Sequence, residues 1–295
     1  MAPSERAGVL PVDKPVGPTS HDVVAAARRA LRERRIGHTG TLDPFASGLL
    51  LLCVGAATRI AQYLSGLPKT YAAVIRFGAA TDTDDRTGAV IERSDAWSGL
   101  TPDRIADGLR ALTGTIEQVP PAYSAKKVGG VAVHRLARAG RPADLAPVPV
   151  TIHSLRVERI DLPDLALEVQ CSAGTYVRAI ARDLGAALGV PAHLAALRRT
   201  RIGPHAIASA LPAASLGDAE AVDRAWLTPL QALAHMPHLE LDAAQAAVIA
   251  HGGAVAAGSG SALEGTVALC REGQLVAIAD AGSGWLRPRQ VLAHA

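Results

Sequence analysis

Two stretches of the chain alternate with a period of two. Tyr71, Ala73, Ile75 and Phe77 fall on one side, with Ala72, Val74 and Arg76 on the other. Leu165, Leu167, Val169 and Cys171 repeat the pattern. A period of two places alternate side chains on opposite faces of a strand, so both stretches predict half-buried strands. The unbroken run Leu49 to Val54 predicts a fully buried strand, and Gly8 to Asp13 a short one. Helical spacing occurs in three places. Val23, Val24, Ala27 and Leu31 predict a helix that opens at Ser20 as N-cap and runs to about Arg35. Thr101 and Pro102 supply an N-cap and first turn for the stripe Ile105, Leu109 and Leu112, stopped by Gly114. Val177, Ile180, Leu184 and Leu188 predict a helix from near Thr175 to Gly189. That helix carries Tyr176 and Arg178 on its first turn, just past a strand end.

The order of these elements is irregular. It lacks βαβ alternation, so the expected class is α+β, with a mainly antiparallel mixed sheet flanked by helices and loops. Residues 208–220 turn small and polar and read as a linker or peripheral excursion. The tail from about Pro237 reads as a separate small β-rich unit. Asp242 and Gln245 open a short helix that stops at Gly252, and Arg271-Glu272-Gly273 joins two apolar runs in a β-hairpin. The expected division is therefore 1–236 and 237–295.

Composition narrows the class. At 49% hydrophobic and 19% charged, the 295 residues can bury a large core and contain no long disordered tract. The longest apolar run is far too short for a membrane helix, and no signal-peptide pattern opens the chain, so a soluble cytoplasmic protein is expected. Cys53, Cys171 and Cys270 are odd in number and widely spaced, which argues against a disulfide framework or a zinc site. The net charge of +3 is too small to imply nucleic acid by itself. Local clusters do more: Arg28, Arg29, Arg32, Arg34 and Arg35 form one, and Arg198, Arg199 and Arg201 another.

Candidate chemistry centres on the segment Gly37 to Gly48, GHTGTLDPFASG, a long Gly-rich loop holding His38 and Asp43. An Asp before Pro commonly forms a turn, and spacing alone leaves Asp43 as turn former or catalyst. Asp82, Asp84 and Asp85 invite a calcium loop, but Arg86 and Thr87 stand where a further oxygen ligand and the glycine belong. No His–carboxylate cluster, phosphate loop or nucleophile elbow occurs. Carboxylate chemistry without a cofactor or metal is the expectation that remains.

Gly37 to Arg59 resembles the signature of the TruB-type tRNA pseudouridine synthases. So, in order, do Gly8 to Ser20, Lys69 to Gly88, QVPPAYSAKKVGG (Gln118 to Gly130), CSAGTYVRAIARDLG (Cys171 to Gly185) and LRRTRIGP (Leu197 to Pro204). The collinear matches cover nearly all of 8–204. The tail resembles a small PUA-type β-barrel appendage, chiefly at Trp285 to Arg289. One departure is His134, where the family commonly has Tyr.

The resemblance implies a pseudouridine-synthase fold with an RNA-clamping insertion at about 118–145 and a small C-terminal β-barrel-like RNA-binding domain. It implies isomerisation of uridine-55 in the T loop of tRNA, with no cofactor, no membrane and no obligate protein partner; a monomer is expected. Asp43 would be the catalytic carboxylate, by an adduct or through a glycal. Arg178 would pair with it, and Tyr71 would stack on the base and assist proton transfer. His38 would fill the space vacated by the target nucleotide, while Tyr176 and Leu197 would line the base pocket. A stacked uridine hides its reacting atoms, so it must be flipped out.

Overall fold

The computed structural model describes residues 6–123, 127–128, 131–132, 145–257 and 263–292. His134 and most of the expected insertion at 118–145 lie outside the described residues. The chain divides into two compact units. One comprises 1–43, 48–66 and 203–295, and the other 44–47 and 67–202.

In the first unit, β1 (Gly8–Lys14) runs antiparallel to β3 (Ser47–Val54), which also pairs antiparallel with β2 (Ile36–His38). The apolar run Leu49 to Val54 is buried throughout β3, as its lack of alternation predicts. The helix Ser20–Leu31 packs Val23, Val24 and Ala27 onto Leu10, Val12, Leu50 and Leu52. Its cap differs from expectation. Thr19 is the N-cap and closes a capping box with Asp22, whereas Ser20 is the first helical residue. The helix also stops at Leu31, because Arg32 adopts a left-handed conformation, φ +52°.

The small, polar stretch 208–220 is packed structure and not a linker. After β13 (His205–Ala206), β14 (Leu211–Pro212) pairs in parallel with β1, and Leu211, Leu216 and Val222 join the same core. Two well-spaced apolar anchors within the stretch, Leu211 and Leu216, suffice to fix it, with Val222 just beyond its end.

The tail has its own five-stranded sheet, ordered β15 (His238–Glu240), β17 (Gly265–Arg271), β18 (Gln274–Gly282), β19 (Trp285–Val291) and β16 (Val255–Ala256). Glu272 and Gly273 turn the β17–β18 hairpin, both at positive φ, as a two-residue primed turn requires. Asp242 and Gln245 cap the helix Ala243–Ala250 reciprocally. Leu241, Ile249, Val267, Leu269 and Leu286 fill a separate core.

In the second unit, β12 (Ala192–Ile202), β4 (Lys69–Phe77), β11 (Asp164–Cys171), β10 (Val148–Asp161) and β7 (Gly114–Gln118) form successive antiparallel pairs. The alternation read in β4 and β11 is the observed burial pattern. Two short hairpins are formed by β5 (Ala79–Thr81) with β6 (Val90–Arg93), and by β8 (Lys127–Val128) with β9 (Val131–Ala132). The helix Pro102–Ala111 starts at Thr101 and Pro102 as expected but ends before Gly114, which opens β7. The helix Val177–Leu188 buries Val177, Ile180, Leu184 and Leu188, and also Arg178.

Candidate active site

In the first unit the loop around Asp43 is held through its backbone. His38 ends β2 and meets the ring of His21 edge-on, with centroids 5.3 Å apart. Its Nδ1 accepts from Gly40 N at 3.3 Å, curling the chain after β2. Thr39 N donates to Leu51 O at 3.1 Å. Ser20, almost fully buried, then takes both polar groups of Leu42. Leu42 N donates to Ser20 Oγ at 2.9 Å, and the hydroxyl donates to Leu42 O at 3.2 Å. The residue before Asp43 is thereby anchored to a helix start. Asp43 itself stays half-buried, and Pro44 restricts its backbone to extended conformations.

In the second unit, Tyr71 is buried on β4. Ala73 stands two residues on, on the same face. The register sets Leu197 opposite Ala73 and Arg199 opposite Tyr71. Directly opposed residues share a face, so Tyr71, Leu197 and Arg199 line one surface of the sheet. Lys69 lies two residues before Tyr71 and is also buried. Burial, then the charge of Arg199, lowers its ammonium to about 8. Its Nζ donates to Leu67 O at 2.6 Å.

The second concentration of groups is at the start of Val177–Leu188. Tyr176 is the N-cap, extended and half-buried, and its side chain makes no capping bond. Arg178 is 4% exposed. A buried guanidinium at the positive end of a helix needs compensation. Asp85 supplies it: Oδ2 stands 3.6 Å from Arg178 Nη1, with both side chains buried. The guanidinium also donates to Thr83 O through Nη1 and to Tyr123 O through Nη2, each at 2.9 Å. Asp85 is oriented in turn by Thr83 Oγ1 at 3.0 Å and Thr87 N at 2.9 Å. Next to it, Asp84 accepts from Arg182 Nη1 at 3.1 Å. Burial raises the Asp84 carboxyl above its ordinary range, opposed by the charges of Arg182 and Arg178. The acidic stretch that fails as a calcium loop is therefore the anchor for two arginines. Among the described residues no group of three or more His, Cys, Asp or Glu could hold a metal ion. No helix among them is long and apolar enough to cross a membrane.

Two residues of this framework escaped the sequence reading. Asp85 falls in the motif Lys69 to Gly88, but the only individual role its spacing suggests is that of a metal ligand. A cation on a helix first turn should have prompted a search for its acid. Gln118 opens the motif QVPPAYSAKKVGG, but nothing in the sequence gives it a role, since a Gln ending a strand is unremarkable by pattern. It is nonetheless 0% exposed and bonded to Tyr176.

The sequence matches the model of the TruB family pseudouridylate synthase N-terminal domain over residues 28–177. It matches that of the tRNA pseudouridylate synthase B C-terminal domain over 178–237. It is 44% identical over 288 residues to the tRNA pseudouridine synthase B of Aromatoleum aromaticum, covering 97% of this chain and 92% of that one. The chain belongs to the TruB family of pseudouridylate synthases. It is thus an isomerase, with the α+β pseudouridine-synthase fold that the motifs imply. The enzyme of the same name from Thermobifida fusca is likewise 44% identical, over 97% of this chain and 98% of its own. Among solved structures, a chain of a Cbf5–Nop10–Gar1 complex superposes with a TM-score of 0.76 at 27% identity, covering 97% of this chain and 85% of that one. A chain of an archaeal box H/ACA Nop10–Cbf5 complex gives 0.74 at 25%, covering 97% and 86%.

Proposed function

We propose that this pseudouridylate synthase acts on tRNA and converts uridine-55 of the T loop to pseudouridine. The observation that carries the reading is the near full-length similarity to relatives named tRNA pseudouridine synthase B. The isomerisation breaks the C1′–N1 bond, turns the base and joins C1′ to C5; C5 loses its proton and N1 gains one. No atom is lost, no water is consumed and nothing is oxidised overall, so the reaction requires no redox cofactor.

In this reading Asp43 is the carboxylate that attacks or assists at the flipped nucleotide. Its half-exposed side chain, on a loop fixed through Leu42, suits a group that must meet RNA. Arg178 keeps that carboxylate ionised and oriented, since a neighbouring cation lowers a carboxyl pKa. Tyr71 stacks on the base, with Leu197 on the same sheet face to line the pocket, and Tyr176 closes it at the helix start. His38 fills the place the nucleotide leaves. Restriction to tRNA follows from RNA shape more than from a side-chain code. The exposed side chains of Trp285, Arg287 and Arg289, alternating along β19, give the tail a stacking and phosphate-binding strip. Residues 237–295 then serve as an RNA-binding domain beside a catalytic part at 1–236, with no obligate protein partner.

The test is to incubate the purified chain with an unmodified tRNA transcript and a chelator, then map pseudouridine by sequence position. One modified uridine at position 55 is the expected result. Intact RNA without pseudouridine, under conditions where binding is measured, would leave a tRNA-binding or tRNA-folding protein as the better reading. Shortened RNA would point to a nuclease.

A further inference from the structure

We infer that Gln118 is a positioning residue for catalysis: its buried carboxamide sets the start of the helix Val177–Leu188 and, through it, the aim of Arg178. The inference rests on the proposed function, because it assigns Gln118 to the same reaction.

The carboxamide is bonded reciprocally to one residue 58 positions away. Tyr176 N donates to Gln118 Oε1 at 2.8 Å, and Gln118 Nε2 donates to Tyr176 O at 3.2 Å. One planar amide thus holds the groups on either side of the Tyr176 Cα, as a neighbouring strand would. Tyr176 O also accepts from Ile180 N at 3.3 Å, an opening bond of the helix. Fixing Tyr176 therefore fixes the direction in which the helix departs.

That role is vacant locally. The helix has no side-chain N-cap bond and no acidic residue in its first turn. An extended N-cap of this kind normally relies on Ser, Thr, Asp or Asn to satisfy the free amide groups. Here a distant Gln takes the N-cap's own amide, the bond that an N3 side chain makes in a capping box and that Ala179 cannot make. Gln118 is itself enclosed: it is 0% exposed and ends β7, paired with Val148 of β10.

The neighbouring contacts show what the clamp aligns. Val119 O accepts from Arg182 Nη2, and Tyr123 O from Arg178 Nη2, each at 2.9 Å. The segment 118–123 is thus stitched to the helix at Tyr176, Arg178 and Arg182. The guanidinium of Arg178 has to satisfy Asp85, Thr83 O and Tyr123 O together. A small rotation of the first turn cannot keep all three. Gln118 fixes the backbone from which that side chain leaves, and it also fixes Tyr176.

Two variants of the full chain test this on an unmodified tRNA transcript. Single-turnover pseudouridine formation at saturating enzyme is measured beside binding. Gln118→Met keeps the volume and removes both hydrogen bonds. Its rate should fall by about 10²-fold, the scale of a small misplacement of a catalytic group, while the dissociation constant stays within about threefold. Gln118→Glu separates the two bonds. Ionised, the carboxylate still accepts from Tyr176 N but faces Tyr176 O with no proton. Protonated, it donates again. Burial raises such a carboxyl toward neutrality. The rate relative to wild type should therefore be low near pH 8 and recover to within about threefold near pH 5.5. The Met variant should show no such recovery.

Should Gln118→Met lose its fold, Gln118→Glu decides alone, because its two states differ by one proton in one chain. Wild-type rates in Gln118→Glu at both pH values overturn the inference, as does a loss that protonation does not restore. A shift confined to the dissociation constant overturns it too. If the wild-type chain itself converts no uridine, the proposed function has failed, and Gln118 is not the cause.

Discussion

The loop of Asp43 and the helix start of Arg178 hold their key residues in opposite ways. Asp43 is half-buried, and the residue before it is anchored by the Ser20 hydroxyl. Arg178 is buried and is itself gripped, by one carboxylate and two carbonyls. The first region anchors the backbone beside a half-exposed side chain. The second controls a side chain directly and shields it from solvent. A half-exposed carboxylate is open to approach by a large substrate. A group that only supplies charge works best where water cannot screen it. On the proposed function, the contrast separates the part that reacts from the part that tunes.

Substitution of Asp43 gives the sharpest break. Asp43→Asn keeps the size of the side chain but removes its charge. Pseudouridine formation should drop by about 10⁴-fold or more, with tRNA affinity and melting temperature near wild type. If Asp43 only shaped the loop, the variant would lose fold or affinity, and turnover would survive at saturating RNA. Single-turnover conversion beside a thermal melt distinguishes the two, and substantial conversion by Asp43→Asn would remove it from the chemistry.

Arg178 should behave differently, because it is a structural partner as well. Arg178→Lys retains charge but cannot present the planar fork that serves Asp85, Thr83 O and Tyr123 O at once. The rate should fall by about 10²- to 10³-fold, the range for losing an oriented electrostatic group. Unlike Asp43→Asn, it should also lower stability. Arg178→Met should cost more, about 3–5 kcal/mol, since it strands the buried carboxylate of Asp85. A denaturant titration of both variants beside wild type checks this. Equal stability of Arg178→Met and wild type would show that Asp85 is satisfied by Thr83 and Thr87 alone.

The two regions were also unequally legible in the sequence. Strands β4 and β11 and the stripe Val177, Ile180, Leu184 and Leu188 follow from periodicity, because burial on one face leaves a period. The hairpin turn at Glu272-Gly273 follows from turn chemistry. The family was legible because its motifs are contiguous. Ser20 was placed on the right helix but given the wrong task. As a residue type it caps helices, and only the fold shows that its hydroxyl faces Leu42, 22 positions away. The stretch 208–220 misled because composition counts residues, whereas two apolar anchors, Leu211 and Leu216, decide its packing. Asp85 and Gln118 act through long-range partners, and no local pattern records a partner 58 or more residues distant.

The smallest expected effect concerns Ser20, and it asks whether the Asp43 loop really depends on a single hydroxyl. Ser20→Ala removes a donor and an acceptor in a site that is almost fully buried. Leu42 N and O then lose partners at 2.9 and 3.2 Å. Leaving such groups unsatisfied costs about 1–3 kcal/mol, less if water enters the vacated space. The helix itself should be unaffected, because its cap is Thr19 and the capping box with Asp22 remains. The loss should therefore be local and should appear as faster amide exchange in 39–43 with little change in the helix Ser20–Leu31. Conversion should fall by about tenfold, well short of Asp43→Asn, because the carboxylate is still present but less often in place. Ser20→Thr restores the hydroxyl and should recover most of the rate if its extra methyl fits. Exchange that rises equally along the whole helix would mean that Ser20 supports the helix and not the loop. An unchanged rate with faster loop exchange would show that Asp43 tolerates a mobile support, and that the Leu42 anchor contributes to stability alone.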